Sequence, residues 1–269
     1  MTSIRIIGAG RAGLSFEGAF RAAGYELLGV WHHTDDLTAA AEGVDVVLLA
    51  VPDRAIAAVA AAIEPRQGTV VLHCSGASTL DGLAPHVRRG SLHPLVTLPE
   101  PVLGALRLGG GPYFAVAGDP MARELAVGLG GRTVVVPDAR RAGYHAAAAI
   151  AANHLVALLG QVERVAATVG LPLEAFLPLA QGALDDVGFL GPAAALTGPA
   201  SRGDIATLER HRAVLDASER FGYEGGVALA ERLAAEREAS AAGTVPAVVT
   251  AADEPAAAVA EQSAAAALS

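Results

Sequence analysis

The first 137 residues alternate short apolar runs with longer stretches of helical period. Ile4-Arg5-Ile6-Ile7 predicts a buried strand, a glycine-rich turn follows, and a helix runs to about Ala23 before a second strand at Glu26–Trp31. Val44 to Val51 is almost continuously apolar, as expected of a central parallel strand covered on both faces. An Ala-rich helix, with Asp53 as its expected N-cap, ends near Glu64-Pro65. Beyond it the pattern predicts strands at Thr69–His73, Gly90–His93, Tyr113–Ala117 and Thr133–Val136, with helices at Thr79–Val87 and Pro120–Leu129. Such alternation predicts an α/β fold: a doubly wound, parallel sheet.

After Pro137 the strand signals stop. Asp138 is the expected N-cap of a long helix from about Arg140 to Val169, which Gly170-Leu171-Pro172 terminates. Helices are predicted at Leu173–Phe189, Ile205–Gly222 and Glu224–Glu238. The reading is thus a sheet domain over 1–138, an all-helical domain over 139–238 and an Ala-rich tail over 239–269. The tail holds 14 alanines, no aromatic residue and three acidic charges, a composition expected to stay disordered.

Composition narrows the chemistry. Of 269 residues 61 are Ala, and the 52% hydrophobic content includes only 4% aromatics, which points to closely packed helices. Ala142–Val162 carries no formal charge over a length that can span a bilayer, but His145, Asn153, His154 and Gln161 interrupt it, so a buried helix and no membrane role are expected. The net charge is −9, and all 19 basic residues are Arg with no run or basic stripe, which argues against nucleic acid as a partner. The absence of Lys excludes a P-loop lysine, a Schiff base and a lysine general acid. A single cysteine, Cys74, rules out an intrachain disulfide or a multi-cysteine metal site and fits a reducing, cytoplasmic setting; no metal is expected.

Gly8-Ala9-Gly10-Arg11-Ala12-Gly13 fits G-x-G-x-x-G, directly after a strand and opening a helix. In that context Gly8 serves the tight turn, Gly10 lets a pyrophosphate approach the backbone, and Gly13 lets the helix pack on the strand. Where an acid would hold the ribose hydroxyls of NAD, the second strand ends in Trp31-His32-His33-Thr34. His32, His33 and Thr34 can donate hydrogen bonds to a 2′-phosphate and Arg11 can add charge, so NADP is the expected cofactor and NAD the alternative. Val51-Pro52 and Ser75 follow the carboxyl ends of two more strands, where ligands of open α/β sheets bind.

His93, at another strand end, and His145, at the start of the long helix, are candidate proton donors, and Asn153 a candidate for orienting a substrate oxygen. Thr197-Gly198-Pro199-Ala200-Ser201-Arg202-Gly203-Asp204 packs turn-forming and charged residues between apolar helices. Within it Arg202 suits a carboxylate, Asp204 suits a helix cap, and Thr197 and, further on, His211 are candidate substrate contacts. Each also has a purely structural reading, as a helix-crossing bond, an interface histidine or a local ion pair.

These motifs, with Ser91-Leu92-His93-Pro94-Leu95, Tyr144-His145 through Asn153 and Ala195-Leu196-Thr197-Gly198-Pro199, resemble a bacterial family that joins a Rossmann-like domain to a helical C-terminal domain of unknown function. The resemblance spans about residues 3–238. That family is similar in turn to ketopantoate reductase, pyrroline-5-carboxylate reductase and the 6-phosphogluconate dehydrogenase group. The resemblance implies NADP-dependent reduction of a small carbonyl or imine acid in a cleft between the domains, by a homodimer paired through helical domains. A ketopantoate-like keto acid is the first expectation and an imine acid the second. The better-known relatives carry a helix Lys four residues before an Asn; with Asn153 as that Asn, the position is Ala149, so the proton must come from a His or a water. A protein that binds NADP as a sensor, without turnover, is the rival reading.

Overall fold

The structure is a computed structural model that describes residues 1–32 and 34–243. It divides into two compact units, one ending at Val156 and the other beginning at Ala157. The first unit therefore runs past the expected 138/139 boundary, because the helix that opens the second half folds back onto strand ends of the sheet.

In the first unit β1 (Ser3–Ile7), α1 (Arg11–Ala22), β2 (Glu26–Trp31), β3 (Val46–Leu49), α2 (Ile56–Ala62), β4 (Val70–His73), β5 (Arg89–Pro94), α3 (Pro101–Gly109), β6 (Tyr113–Gly118), α4 (Met121–Gly128) and β7 (Arg132–Val135) build one seven-stranded sheet, ordered β2-β1-β3-β4-β5-β6-β7. All neighbours pair parallel except β5 and β6, an antiparallel pair with Leu92 opposite Val116. The fold is thus doubly wound with one reversed connection. β3 and β4 are wholly buried, as their unbroken apolar runs require. Ile4, Ile6, Phe16, Phe20, Leu48, Leu72, Leu92 and Phe114 fill one face, and Ile7, Val47, Leu49, Ile56, Ile63 and Val71 the other.

Several boundaries differ from the sequence pattern. The helix expected at Thr79–Val87 is only a 3-10 turn, Leu80–Leu83. α3 carried no clear signal in its Gly- and Leu-rich stretch; Glu100 starts it by accepting from the Val102 and Leu103 amides, with Pro101 in its first turn. Asp53 opens a 3-10 turn and makes no capping bond. Asp138 likewise opens a 3-10 turn, and its Oδ2 accepts from the Leu80 amide 3.1 Å away.

The long predicted helix is three pieces: α5 (Arg141–Ala149), a π-helical turn (Ile150–His154) and α6 (Leu155–Ala167). It is not the buried helix expected, since none of its most apolar stretch is buried within this chain. By length and composition alone it would suffice to cross a membrane.

The second unit continues with α7 (Leu177–Leu190), α8 (Pro192–Ala195), α9 (Ile205–Val214) and α10 (Ala217–Ala241). The expected break at Gly222-Tyr223 lies at Leu215-Asp216, where Asp216 caps α10 through the Ser218 amide at 2.8 Å. Gly222 stays helical and makes room for Gln161, whose Nε2 donates to the Glu219 carbonyl at 2.7 Å. α10 runs through the first residues of the expected tail; residues 244–269, on which the rest of that expectation falls, lie outside the described residues.

Candidate functional site

The carboxyl ends of β1, β3, β4 and β5 gather most of the candidate residues. The Gly8–Gly13 loop leaves β1 and enters α1 with Gly10 as its N-cap and no side-chain cap. Gly8 has φ +115°, a conformation that disfavours any side chain. A Cβ at Gly13 would overlap the Gly8 carbonyl oxygen, and one at Gly8 would overlap that of Ala50. Gly10 is different: its φ is −81°, and a Cβ there meets nothing within 4 Å. Two glycines therefore serve the fold, whereas Gly10 leaves bare backbone at a helix start where N–H groups are free to bind an anion. The loop fits a pyrophosphate. Arg11 and Ala12 form the first turn of α1, with Arg11 exposed.

At the end of β2 the picture is mixed. His32 is exposed, and its backbone N–H donates to Asp35 Oδ2 at 2.7 Å. Asp36 is turned away onto Thr38. Thr34 is exposed in the same turn, and the expectation for His33 lies outside the described residues. Asp35, four residues past the last residue of β2, is thus folded back to the end of that strand.

Val51 and Pro52 follow β3, and Ser75 follows β4. Ser75 Oγ accepts from the Ala77 and Ser78 amides at 3.1 and 2.9 Å, which holds the turn around Gly76. The absence of a side chain at Gly76 has a direct use. A Cβ there would lie 2.7 Å from His145 Cδ2 and 2.9 Å from His93 Nε2, so the two imidazoles close over bare backbone.

Around that turn His93 Nδ1 and the Tyr144 hydroxyl share a 2.6 Å hydrogen bond, and the His93 and His145 ring centroids are 6.3 Å apart. Burial, then the neighbouring His145 and Arg141 charges, hold His93 down to about 4. Burial pushes the Tyr144 phenol up to about 12. His73 is also held down to about 4, chiefly by burial and then by Arg141; its Nδ1 accepts the Ser75 amide at 3.2 Å. Both His73 and His93 are neutral at pH 7. Cys74, just beyond β4, is pushed up to about 12 by burial, so it is no nucleophile.

Arg141 has 1% of its surface exposed. It donates from Nη1 to the Ser75 carbonyl at 3.4 Å and lies 3.4 Å from Asp138, while its Nε and Nη2 have no hydrogen-bond partner. Arg141, Tyr144, Gly76 and His73 were not picked from the sequence. The available signal was the spacing: 141, 144 and 145 are i, i+3 and i+4, one face of α5.

Asn153 lies in the π-helical turn and is exposed, away from this cluster along the helix. In the second unit Asp204 caps α9 as expected, accepting from the Thr207 amide at 3.1 Å. Thr197 and Arg202 are exposed in the preceding loop, and Arg202 has no ion pair among the described residues. His211 is bound to the Tyr223 hydroxyl at 2.7 Å. No cluster of three or more potential metal ligands occurs among the described residues. A recess of about 590 Å³ between α1 and α3 is lined by apolar residues such as Leu14, Val102 and Leu106 and includes none of the candidate residues.

A family model described as a domain of unknown function (DUF2520) matches residues 114–228, less than half the chain. Comparison with curated proteins finds no match. Among solved structures, protein TM1727 from Thermotoga maritima is similar at 25% identity and TM-score 0.68, covering 87% of this chain and 99% of that one. Pyrroline carboxylate reductase from Plasmodium falciparum, solved with NADP bound, is 12% identical with TM-score 0.60, covering 91% and 98%. A reductive aminase from Aspergillus terreus, in complex with NADPH and ethyl levulinate, is 18% identical with TM-score 0.62, covering 86% and 94%. The likeness establishes the shared fold: a Rossmann-type sheet followed by a helical region.

Proposed function

We propose that this chain is an NADP-dependent oxidoreductase that reduces a C=O or C=N carbon of a small acid. The observation that carries the reading is Gly10: its Cβ position is sterically free in the protein, yet it lies where a dinucleotide's pyrophosphate approaches. The similar folds named above, two of them solved with NADP or NADPH, support the same class. The cofactor, when bound, supplies a hydride. The residues of this chain do the rest. The Gly8–Gly13 loop and the start of α1 bind phosphate, and Val51, Pro52 and Ser75 line the strand ends beside it. His93 and Tyr144 form a neutral, hydrogen-bonded pair, and His145 stands on its exposed side as the donor of a proton to the substrate atom that gains charge. Asn153 and Thr197 are proposed to orient the substrate, Arg202 to bind its carboxylate, and His211 to contact it. A ketopantoate-like keto acid is the first substrate class, and an imine acid of the pyrroline carboxylate type the second. The setting is the cytoplasm, and the working form is a dimer paired through helical units.

NADPH fluorescence titration tests the reading. Gly10→Val is expected to fold, because a Cβ at this position meets nothing within 4 Å, and to weaken NADPH by at least tenfold. Equal affinity in two folded proteins would remove the site. NADPH is expected to bind more tightly than NADH by about 1–3 kcal/mol through charge-assisted bonds to the 2′-phosphate. A preference for NADH would show that Asp35 acts as the ribose acid. NADPH oxidation across small keto acids and cyclic imines separates the enzyme from a sensor that binds without turnover.

A further inference from the structure

We propose that Arg141 is a positioning residue for this site: its buried guanidinium ties the turn after β4 to the start of α5 and places a fixed positive charge beside the His93–Tyr144 pair. The geometry is local to one face of α5. Tyr144 and His145, three and four positions after Arg141, reach His93 from the same face of α5. Arg141 itself reaches the Ser75 carbonyl, next to the Gly76 backbone over which both imidazoles close. One side chain thus joins the turn after β4 to the helix that carries Tyr144 and His145.

The charge is poorly neutralised. A buried guanidinium usually has its donors filled, because leaving them empty costs more than a surface ion pair returns. Here Nη2 has no hydrogen-bond partner, and Nε meets Asp138 Oδ1 only as an ion pair at 3.4 Å, without a hydrogen bond. Asp138 is about a third exposed, so its charge is spread partly into water. The remaining positive field of Arg141 falls on His73 from β4, His93 from β5 and Tyr144 from α5; His145 adds to it at His93, while Asp53 opposes it at both histidines and Asp138 at His73. Its effect adds to burial, the larger cause, in holding both imidazoles down, and it favours any negative charge that develops on Tyr144 Oη. A chain without lysine thereby retains a fixed cation beside its proton-handling groups.

The role of the pair in reduction rests on the oxidoreductase reading; the charge coupling does not. The test uses the full-length, cofactor-free protein. Imidazole resonances are followed by NMR from pH 8 to 3.5, with His93 assigned by loss of its signal in His93→Gln. In the wild type His93 is expected to titrate near 4. In Arg141→Met its midpoint moves up by about half a unit or more, and Arg141→Lys moves it less. A folded Arg141→Met with an unmoved His93 overturns the proposal. A second measurement needs no variant: the Arg141 Nε–H resonance should shift with the His93 titration, and a flat Arg141 signal overturns the proposal equally. NADPH affinity is measured on the same samples. Coupled titration without NADPH binding would sink the oxidoreductase reading and leave Arg141 in place. NADPH binding with a flat Arg141 would sink only this inference.

Discussion

At the scale of single residues, the two low histidines make acid the natural stress on the sheet unit. His73 and His93 titrate near 4 when folded and near 6.5 when unfolded, so the unfolded chain takes up protons first as the pH falls. Their contribution is fully present above about pH 6.5 and is lost as the pH drops toward 4. Each should remove about 1.4 kcal/mol per pH unit within that window. Urea midpoints between pH 7 and 4.5 measure the slope, and His93→Gln should reduce it by about half. A slope unchanged in that variant would mean that His93 is charged in the folded protein. Arg202 belongs to the same scale. Arg202 is exposed and has no ion pair among the described residues; as the proposed carboxylate anchor, its change Arg202→Ala is expected to weaken acid substrates by about 2–4 kcal/mol while sparing NADPH. If only the melting temperature changes, Arg202 has a structural role and the anchor lies elsewhere.

Helix starts carry the predictions at the scale of elements. Asp204 and Asp216 each accept a backbone N–H at the head of α9 and α10. Asp204→Ala and Asp216→Ala should each cost about 1 kcal/mol of stability, read from denaturant midpoints, with turnover per folded molecule unchanged. Asp204 was legible as a cap because a turn-rich loop precedes it and an apolar helix follows. Asp216 was not, because Leu215-Asp216 interrupts an otherwise continuous helical pattern, while the glycines at 222, 225 and 226 look like the better stop. Tertiary packing overrode that local preference: α10 tolerates Gly222 because Gln161 occupies the space a side chain would take. Asp53 shows the opposite error, a good capping residue placed in a 3-10 turn that it does not cap.

At the scale of the whole molecule, the two units are built very differently. The sheet unit has two complete hydrophobic layers. Among the described residues of the helical unit, the buried apolar side chains are Ala166, Leu208, Val227 and Ala234, while Leu179, Phe189, Val214, Phe221 and Leu229 are each at least 70% exposed. A folded monomer seldom leaves apolar surface on that scale uncovered, and a second copy of the chain is the proposed cover. Light scattering should report twice the chain mass. Phe189→Ser together with Phe221→Ser should shift the protein toward monomer and lower its stability, since the proposed partner would complete the core of the helices. A wild-type monomer, or partition into lipid vesicles, would refute the dimer.

The sequence alone determined the order of the seven strands in the first half, the glycine-rich loop after β1, the change to an all-helical second half and the exclusion of lysine chemistry. These depend on local period, on glycine at positions of forced backbone shape and on which side chains exist at all. Tertiary structure decided the composition of the site. His93 was visible as a strand-end histidine, but its partnership with Tyr144, 51 positions away, is made by α5 folding onto β4 and β5. Arg141 reads in sequence as one more surface arginine at a helix start; only burial against the Ser75 turn makes it a fixed charge. Asp35 reads as lying beyond its strand until the turn brings its carboxylate back to the His32 amide. Local pattern reports what a segment prefers by itself. The charge, solvation and partners of a side chain are set by residues distant in sequence, and they exist only once the chain has closed.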